Sequence, residues 1–192
     1  MPSVTANKLL GRIASEIRVM RWPLQRGYVL PAMTLATSAF EVAYTAAYVG
    51  SSPERARRWR DYGSAESDER TWFPWKVRLM IEEVSKALGR DGGATDNAYG
   101  HYRMLCSGKH HNPYLAQAVG AANTPELHLL TTDPQVDPRF PTTLSFLIFL
   151  LLEHLFGCLI VLEREGLLRV ASPTKQQFLS YYQRALAELD SQ

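Results

Sequence analysis

From Leu144 to Leu162 the chain reads LSFLIFLLLEHLFGCLIVL, a run of 19 residues in which only Glu153 and His154 ionise. No other stretch constrains the fold as strongly, because a run of that length is about what a helix needs to cross a bilayer. On the membrane-insertion scale a central acidic residue costs roughly 2.5 to 3.5 kcal/mol, and some fifteen apolar residues at about 0.3 to 0.6 kcal/mol each offset it. Hydropathy alone therefore permits a span. Three features favour a different reading, the central helix of a soluble bundle, which is also apolar on every side. The charged pair sits at mid-run, where a membrane helix would need bundle partners for it. Basic residues flank both ends (Arg139, Arg164, Arg169), and the sequence holds no second run of the kind. The chain has 192 residues, 46% hydrophobic and 21% charged, which is enough to bury a core without disulfide or metal staples. The expectation is one soluble, cytoplasmic domain, with a membrane span as the competing reading.

Apolar spacing around that run is helical almost throughout. Leu9, Leu10, Ile13, Ile17 and Met20 recur every three or four residues, predicting an amphipathic helix over 4–21 that Trp22-Pro23 ends. A second helix over 24–49 carries small residues that permit close approach, with Pro31 as a kink or a delayed start. Ser51-Ser52-Pro53-Glu54 reads as a cap with proline at the first helical position, and Thr71-Trp72-Phe73-Pro74 as another start, of a helix closed by Gly89. RDGGATD reads as a loop before a short helix that Asp96 caps and that runs through Cys106. SGKHHNP breaks it, and Tyr114 to Val119 resumes it. Residues 120–141, with Pro125, Pro134, Pro138 and Pro141, form an irregular connection over the bundle. The apolar helix follows, begun by Pro141 with Thr142 or Thr143, and after it a helix opened by Ser172-Pro173 that presents Phe178, Leu179, Tyr182 and Leu186 on one face. The fold class is all-α, a single antiparallel bundle of six or seven helices. Its segments are an N-terminal helix (1–22), motif-bearing helices (24–119), the connection, and the apolar and C-terminal helices (142–190). The second helix, the one ending at Leu88 and the apolar helix make the core.

Several chemistries announce themselves by motifs this chain lacks: no Walker loop, Rossmann glycine fingerprint, HExxH, GxSxG or EF-hand loop occurs. Cys106 and Cys158 have no CxxC partner, so neither a zinc site nor a disulfide framework is indicated, and no metal or cofactor is expected. Charge is unevenly spread: residues 1–110 carry a net +5 and residues 111–192 a net −3. A basic half of this kind suits a polyanion, though solvated helices produce it as well. Arg55, Arg57, Arg58 and Arg60 around Trp59 could hold phosphates beside a stacked base, but an amphipathic helix using Trp59 as its core anchor accounts for them more simply. Trp72, Phe73 and Trp75 are read as core or dimer contacts.

The densest polar cluster is HYRMLCSGKHHNP, residues 101 to 113, with three histidines, one arginine and one lysine. In phosphodiester chemistry an arginine can hold the non-bridging oxygens while a histidine, titrating near neutrality, moves the proton of the attacking or leaving hydroxyl. Arg103 and His110 are seven residues apart, two turns or about 10 Å along a continuous helix and on nearly one face. Glu41 is an upstream acid, and Glu153-His154 reads as a satisfied core pair that could instead line the same pocket.

The pair Arg103 and His110 resembles the R-x(4 to 6)-H signature of HEPN domains, helical bundles of bacterial toxin and phage-defence systems. Tyr102, Leu105, Cys106, His110, Asn112 and Pro113, with Glu41 upstream, resemble the pattern Y-x-x-L-C-x-x-x-H-x-N-P of a bacterial family of helical proteins of unassigned activity. That second resemblance spans about residues 25–165 and the first only the motif. Met104, after the arginine, departs from the polar residue usual in HEPN domains. The resemblance implies a metal-independent endoribonuclease acting as a homodimer on RNA, with an antitoxin or another protein as partner. Arg103 and His110 would be the catalytic pair and Glu41 an orienting acid, and His111, Asn112, Tyr102 and Lys109 would line the site. The alternative is a non-enzymatic helical module that binds a protein or small ligand. There Arg103 is a strut paired with Glu41, and His110 to Pro113 simply terminate a helix.

Overall fold

The structure, a computed structural model, describes residues 2–26, 28–62, 76–109 and 140–190. These form seven helices: α1 (Pro2–Gln25), α2 (Val29–Gly50), α3 (Pro53–Asp61), α4 (Val77–Ala87), α5 (Gly92–Lys109), α6 (Phe140–Arg164) and α7 (Ser172–Asp190). No strand occurs among the described residues, and the all-α bundle is as expected.

Small residues make α2 the axis. Ala32, Ala36, Ala39, Ala43, Ala46 and Ala47 are buried along its length, so α1, α3, α4, α5 and α6 can all pack against it. From α4 come Met80, Ile81 and Val84, and from α6 come Leu147, Leu150, Leu151, Leu155, Cys158, Val161 and Leu162. The three expected core helices are joined by α1, through Ala6, Leu9, Ile13 and Met20, and by α5, through Ala98 and Leu105. The apolar run lies within this assembly. The stretch Ser145–Arg164 has the length and composition to cross a membrane, and 56% of its most apolar window is buried inside the bundle.

Several helix ends differ from the expected ones. Trp22-Pro23 does not stop α1, which runs to Gln25 with Pro23 inside it. A proline this close to the end removes a single backbone bond, and its carbonyl still accepts from the amides of Arg26 and Tyr28. Pro31 falls in the first turn of α2, where amides lack helical partners anyway, so the delayed start is the one that occurs. Ser52 caps α3, its hydroxyl accepting from the Arg55 amide at 3.3 Å with Pro53 first in the helix. Gly89 closes α4 at φ 72°, a left-handed conformation that glycine adopts without a Cβ penalty.

The expected RDGGATD loop is wrong. Asp91, not Asp96, caps α5, its Oδ1 accepting from the Ala94 amide at 2.9 Å, and Gly92-Gly93 form the first turn. Asp96 lies inside the helix, paired with Arg78 at 2.9 Å. The helix also passes through Ser107-Gly108, which were expected to break it, and continues to Lys109. At the other end of the chain, α7 turns only part of its expected face inward. Phe178 stacks on Phe156, Tyr182 stacks on Phe149 and Ala185 is buried, while Leu179 and Leu186 are largely exposed. The apolar helix α6 begins at Phe140, one residue before its expected start at Pro141. The start at Thr71–Pro74, the tryptophans Trp72 and Trp75 with Phe73, the helix at Tyr114–Val119 and the rest of the connection lie outside the described residues.

Candidate functional site

Helix α5 carries most of the polar cluster, and its periodicity sorts that cluster onto different faces. Successive residues of a helix point about 100° apart. Ala98 and Leu105 are buried, which aims His101 and Tyr102 inward at α2 and α6, whereas Gly100 and Arg103 are exposed.

Tyr102 reaches α2. Its hydroxyl donates to Glu41 Oε1 at 2.8 Å, a bond between residues 61 apart in sequence, and its ring stacks on Phe40 at 5.6 Å. Burial, then the Cys106 thiol and the Glu41 carboxylate, hold the phenol well above its ordinary range, so it stays a donor. Of the motif residues, Glu41, Tyr102 and Cys106 are thus brought together, with Leu105 packed beneath them in the core. Glu41 also faces a cleft of about 580 Å³ whose lining includes Arg12, Thr45, Trp59, Arg60 and Tyr62.

Arg103 does not pair with Glu41. Among the described residues no ion pair or hydrogen bond joins them, and Arg103 stands exposed on the outer side of α5. The expected strut is formed by Tyr102 instead, one position earlier and on the inward face. Lys109 is the last residue of α5, and His110, His111 and Asn112 lie outside the described residues.

The apolar helix brings its own polar pair to α5. His154, 2% exposed, has a partner on each ring nitrogen: Tyr44 Oη lies 2.9 Å from Nδ1, and His101 Nδ1 lies 3.0 Å from Nε2. A neutral imidazole has one donor and one acceptor nitrogen, so the two contacts run in one direction. Either Tyr44 donates to His154 and His154 to His101, or both bonds reverse. Burial first, then His101 and Arg90, push the His154 pKa down to about 3, so the ring is neutral through the physiological range. Burial likewise raises the Tyr44 phenol and the Cys158 thiol, which is a free, inert core cysteine. Glu153 points away from this chain towards Arg90, Oε1 to Nη1 3.7 Å, beside a smaller cavity of about 130 Å³ lined also by Phe156, Phe178 and Tyr182. His154 is therefore satisfied in the core, as expected, whereas Glu153 is a quarter exposed beside Arg90, and Glu153 and Glu41 line separate cavities. His101, Glu153 and His154 each offer one donor atom, and these atoms all lie within 4.8 Å of one another.

Sequence reasoning missed Tyr44, His101 and Arg90 as members of this cluster. A signal was available for His101: it lies three residues after Ala98 and four before Leu105, on the apolar stripe of its own helix. Among the arginines of α3, Arg55 and Arg60 have separate partners. Arg55 lies over the Tyr48 ring at 3.8 Å and pairs with Glu83 at 3.0 Å, Arg60 pairs with Asp61, and Trp59 packs against the core.

Compared with known proteins, the chain matches no protein-family model, no curated protein and no solved structure. Function therefore has to be read from the residues themselves.

Proposed function

We propose that the chain is an HEPN-like bacterial protein of a toxin or phage-defence system that cleaves RNA without a metal ion, as a homodimer in the cytoplasm. Arg103 holds the non-bridging phosphate oxygens and His110 moves the proton of the attacking or leaving hydroxyl. Glu41, which accepts from Tyr102 on the inward face of the same helix, anchors that helix to α2 behind the pair. One observation supports this reading above the rest: Arg103 is exposed and unclaimed by Glu41, so its guanidinium is presented to an incoming phosphate from a helix whose other face is locked to α2. An arginine serves this purpose because its planar fork stays charged and matches two phosphate oxygens at once.

The test is cleavage of a defined single-stranded RNA by purified protein in excess chelator. Wild type is expected to cut. Arg103→Ala and His110→Ala, checked for unchanged circular dichroism, are expected to lose at least about a hundredfold in rate, in line with general acid–base and oxyanion contributions. Equal cleavage by His110→Ala, or cleavage only when a divalent ion is restored, contradicts the reading.

A second reading is favoured by the cleft beside Glu41, whose volume of about 580 Å³ falls in the range of small-ligand sites and whose wall mixes Arg12, Arg60, Trp59 and Tyr62. On that reading the chain is a binding module without RNase activity. It predicts no cleavage by wild type and a ligand-dependent rise in melting temperature that Arg60→Ala abolishes and His110→Ala leaves alone.

A further inference from the structure

We infer that His101, Glu153 and His154 bind one divalent transition-metal ion of the Zn²⁺ class between α5 and α6. The ligands are His101 Nδ1 and His154 Nε2, 3.0 Å apart, and a carboxylate oxygen of Glu153; one donor atom from each of the three residues lies within 4.8 Å of the other two. Neither the chelator-proof cleavage proposed above nor its residues enter this inference.

The spacing of the two nitrogens fits an ion. Ligands about 2.1 Å from a metal, at angles between octahedral and tetrahedral, stand about 3.0 to 3.4 Å apart. The two imidazole nitrogens are 3.0 Å apart. In the metal-free protein one proton lies between them; an ion that replaces it sits off the line joining the two nitrogens, and each imidazole turns to aim its lone pair at the ion. Glu153 is a quarter exposed and has room to rotate its carboxylate onto the ion. Two imidazoles and one carboxylate suit borderline ions such as Zn²⁺, whereas Mg²⁺ and Ca²⁺ prefer oxygen donors throughout.

The surroundings add what a bare cluster would lack. With His154 Nε2 on the ion, its Nδ1 carries the proton and donates to Tyr44 Oη at 2.9 Å, the outer hydrogen bond that fixes the ring of a metal-bound histidine. Arg90, 3.7 Å from Glu153 Oε1, can hold the carboxylate oxygen that faces away from the ion. The cavity of about 130 Å³ beside Glu153 and Arg90 has room for a few waters at about 30 Å³ each on the Glu153 side of the site.

The experiment is a titration of the full chain, stripped of metal and dialysed, with Zn²⁺ against a chromophoric chelator, repeated with Co²⁺ to read its visible absorption. Wild type is expected to take up one ion per chain and to gain about 5 °C or more in melting temperature at a hundredfold excess over Kd. Glu153→Gln and His101→Asn are each expected to weaken binding at least about tenfold and to change the Co²⁺ spectrum. Tyr44→Phe, which removes only the outer hydrogen bond, is expected to weaken it by about tenfold. If a histidine variant fails to fold, Glu153→Gln, at a side chain a quarter exposed, carries the test. No stoichiometric uptake by folded wild type, or equal affinity in Glu153→Gln and wild type, overturns the inference. Cleavage of RNA that persists in chelator leaves it intact, and uptake of metal without any cleavage leaves it intact as well.

Discussion

Tyr102 and Arg103 are consecutive residues of one helix, and they serve opposite purposes. Tyr102 is half-buried and ties α5 to α2 through Glu41, whereas Arg103 is exposed and ties α5 to nothing else among the described residues. The same division runs along the helix. Ala98, His101, Tyr102 and Leu105 build the bundle, and Asp96, Gly100 and Arg103 face water. A short motif read as one unit is thus two half-motifs, one structural and one available for chemistry, separated by about 100° of helix rotation.

This division can be broken or sharpened by substitution. The largest effect is expected deep on the inner side. His154→Ala leaves a void next to Phe40, whose ring centroid is 4.7 Å away, and strands both Tyr44 and His101. Its expected cost is about 3 to 4 kcal/mol in urea unfolding, and a loss under about 1 kcal/mol would mean that the cluster is not a fixed part of the core.

Tyr102→Phe comes next. It keeps the ring on Phe40 and removes only the hydroxyl that donates to Glu41, so about 1.5 kcal/mol is expected, the usual worth of a bond to a charged acceptor. Unfolding midpoints identical to wild type would show the bond to be incidental.

A smaller, pH-dependent effect belongs to the rim. Its hydrogen bond to Arg55 holds the Glu83 carboxyl below its ordinary value of 4.5. A depressed folded-state pKa contributes stability above the unfolded value and loses it as pH falls through the folded one. Both groups are substantially exposed, so the pair is worth a few tenths of a kcal/mol. Glu83→Gln should therefore be slightly less stable than wild type at pH 7, and the gap should close on acidification to about pH 3. A gap that widens on acidification would reverse the sign of the argument.

The physical reasons why some of this was legible in the sequence and some was not follow the same division. Helix starts were readable where a side chain caps locally, as at Ser52-Pro53, and the central role of the apolar helix followed from its composition. The end of α1 was misread because Pro23 costs one hydrogen bond in a last turn and not a helix. The start of α5 was misread because two capping aspartates, Asp91 and Asp96, compete five residues apart, and the glycine pair between them looked like a loop. Of the candidate site, Glu41 and Tyr102 were both named, but their bond was assigned to Arg103. Sequence spacing alone does not decide which of two adjacent side chains faces a helix 61 residues away, although the burial of Leu105, three positions on from Tyr102, does. The Tyr44–His154–His101 chain joins residues 110 and 53 apart, and no local pattern carries such pairings.

The most direct test of the division is Arg103→Ala, scored for stability and activity on the same preparation. The account predicts an unfolding free energy within about 0.5 kcal/mol of wild type, as for an exposed residue without a partner among the described residues, together with loss of RNA cleavage. Destabilisation by more than about 1 kcal/mol, or cleavage at the wild-type rate, would contradict it.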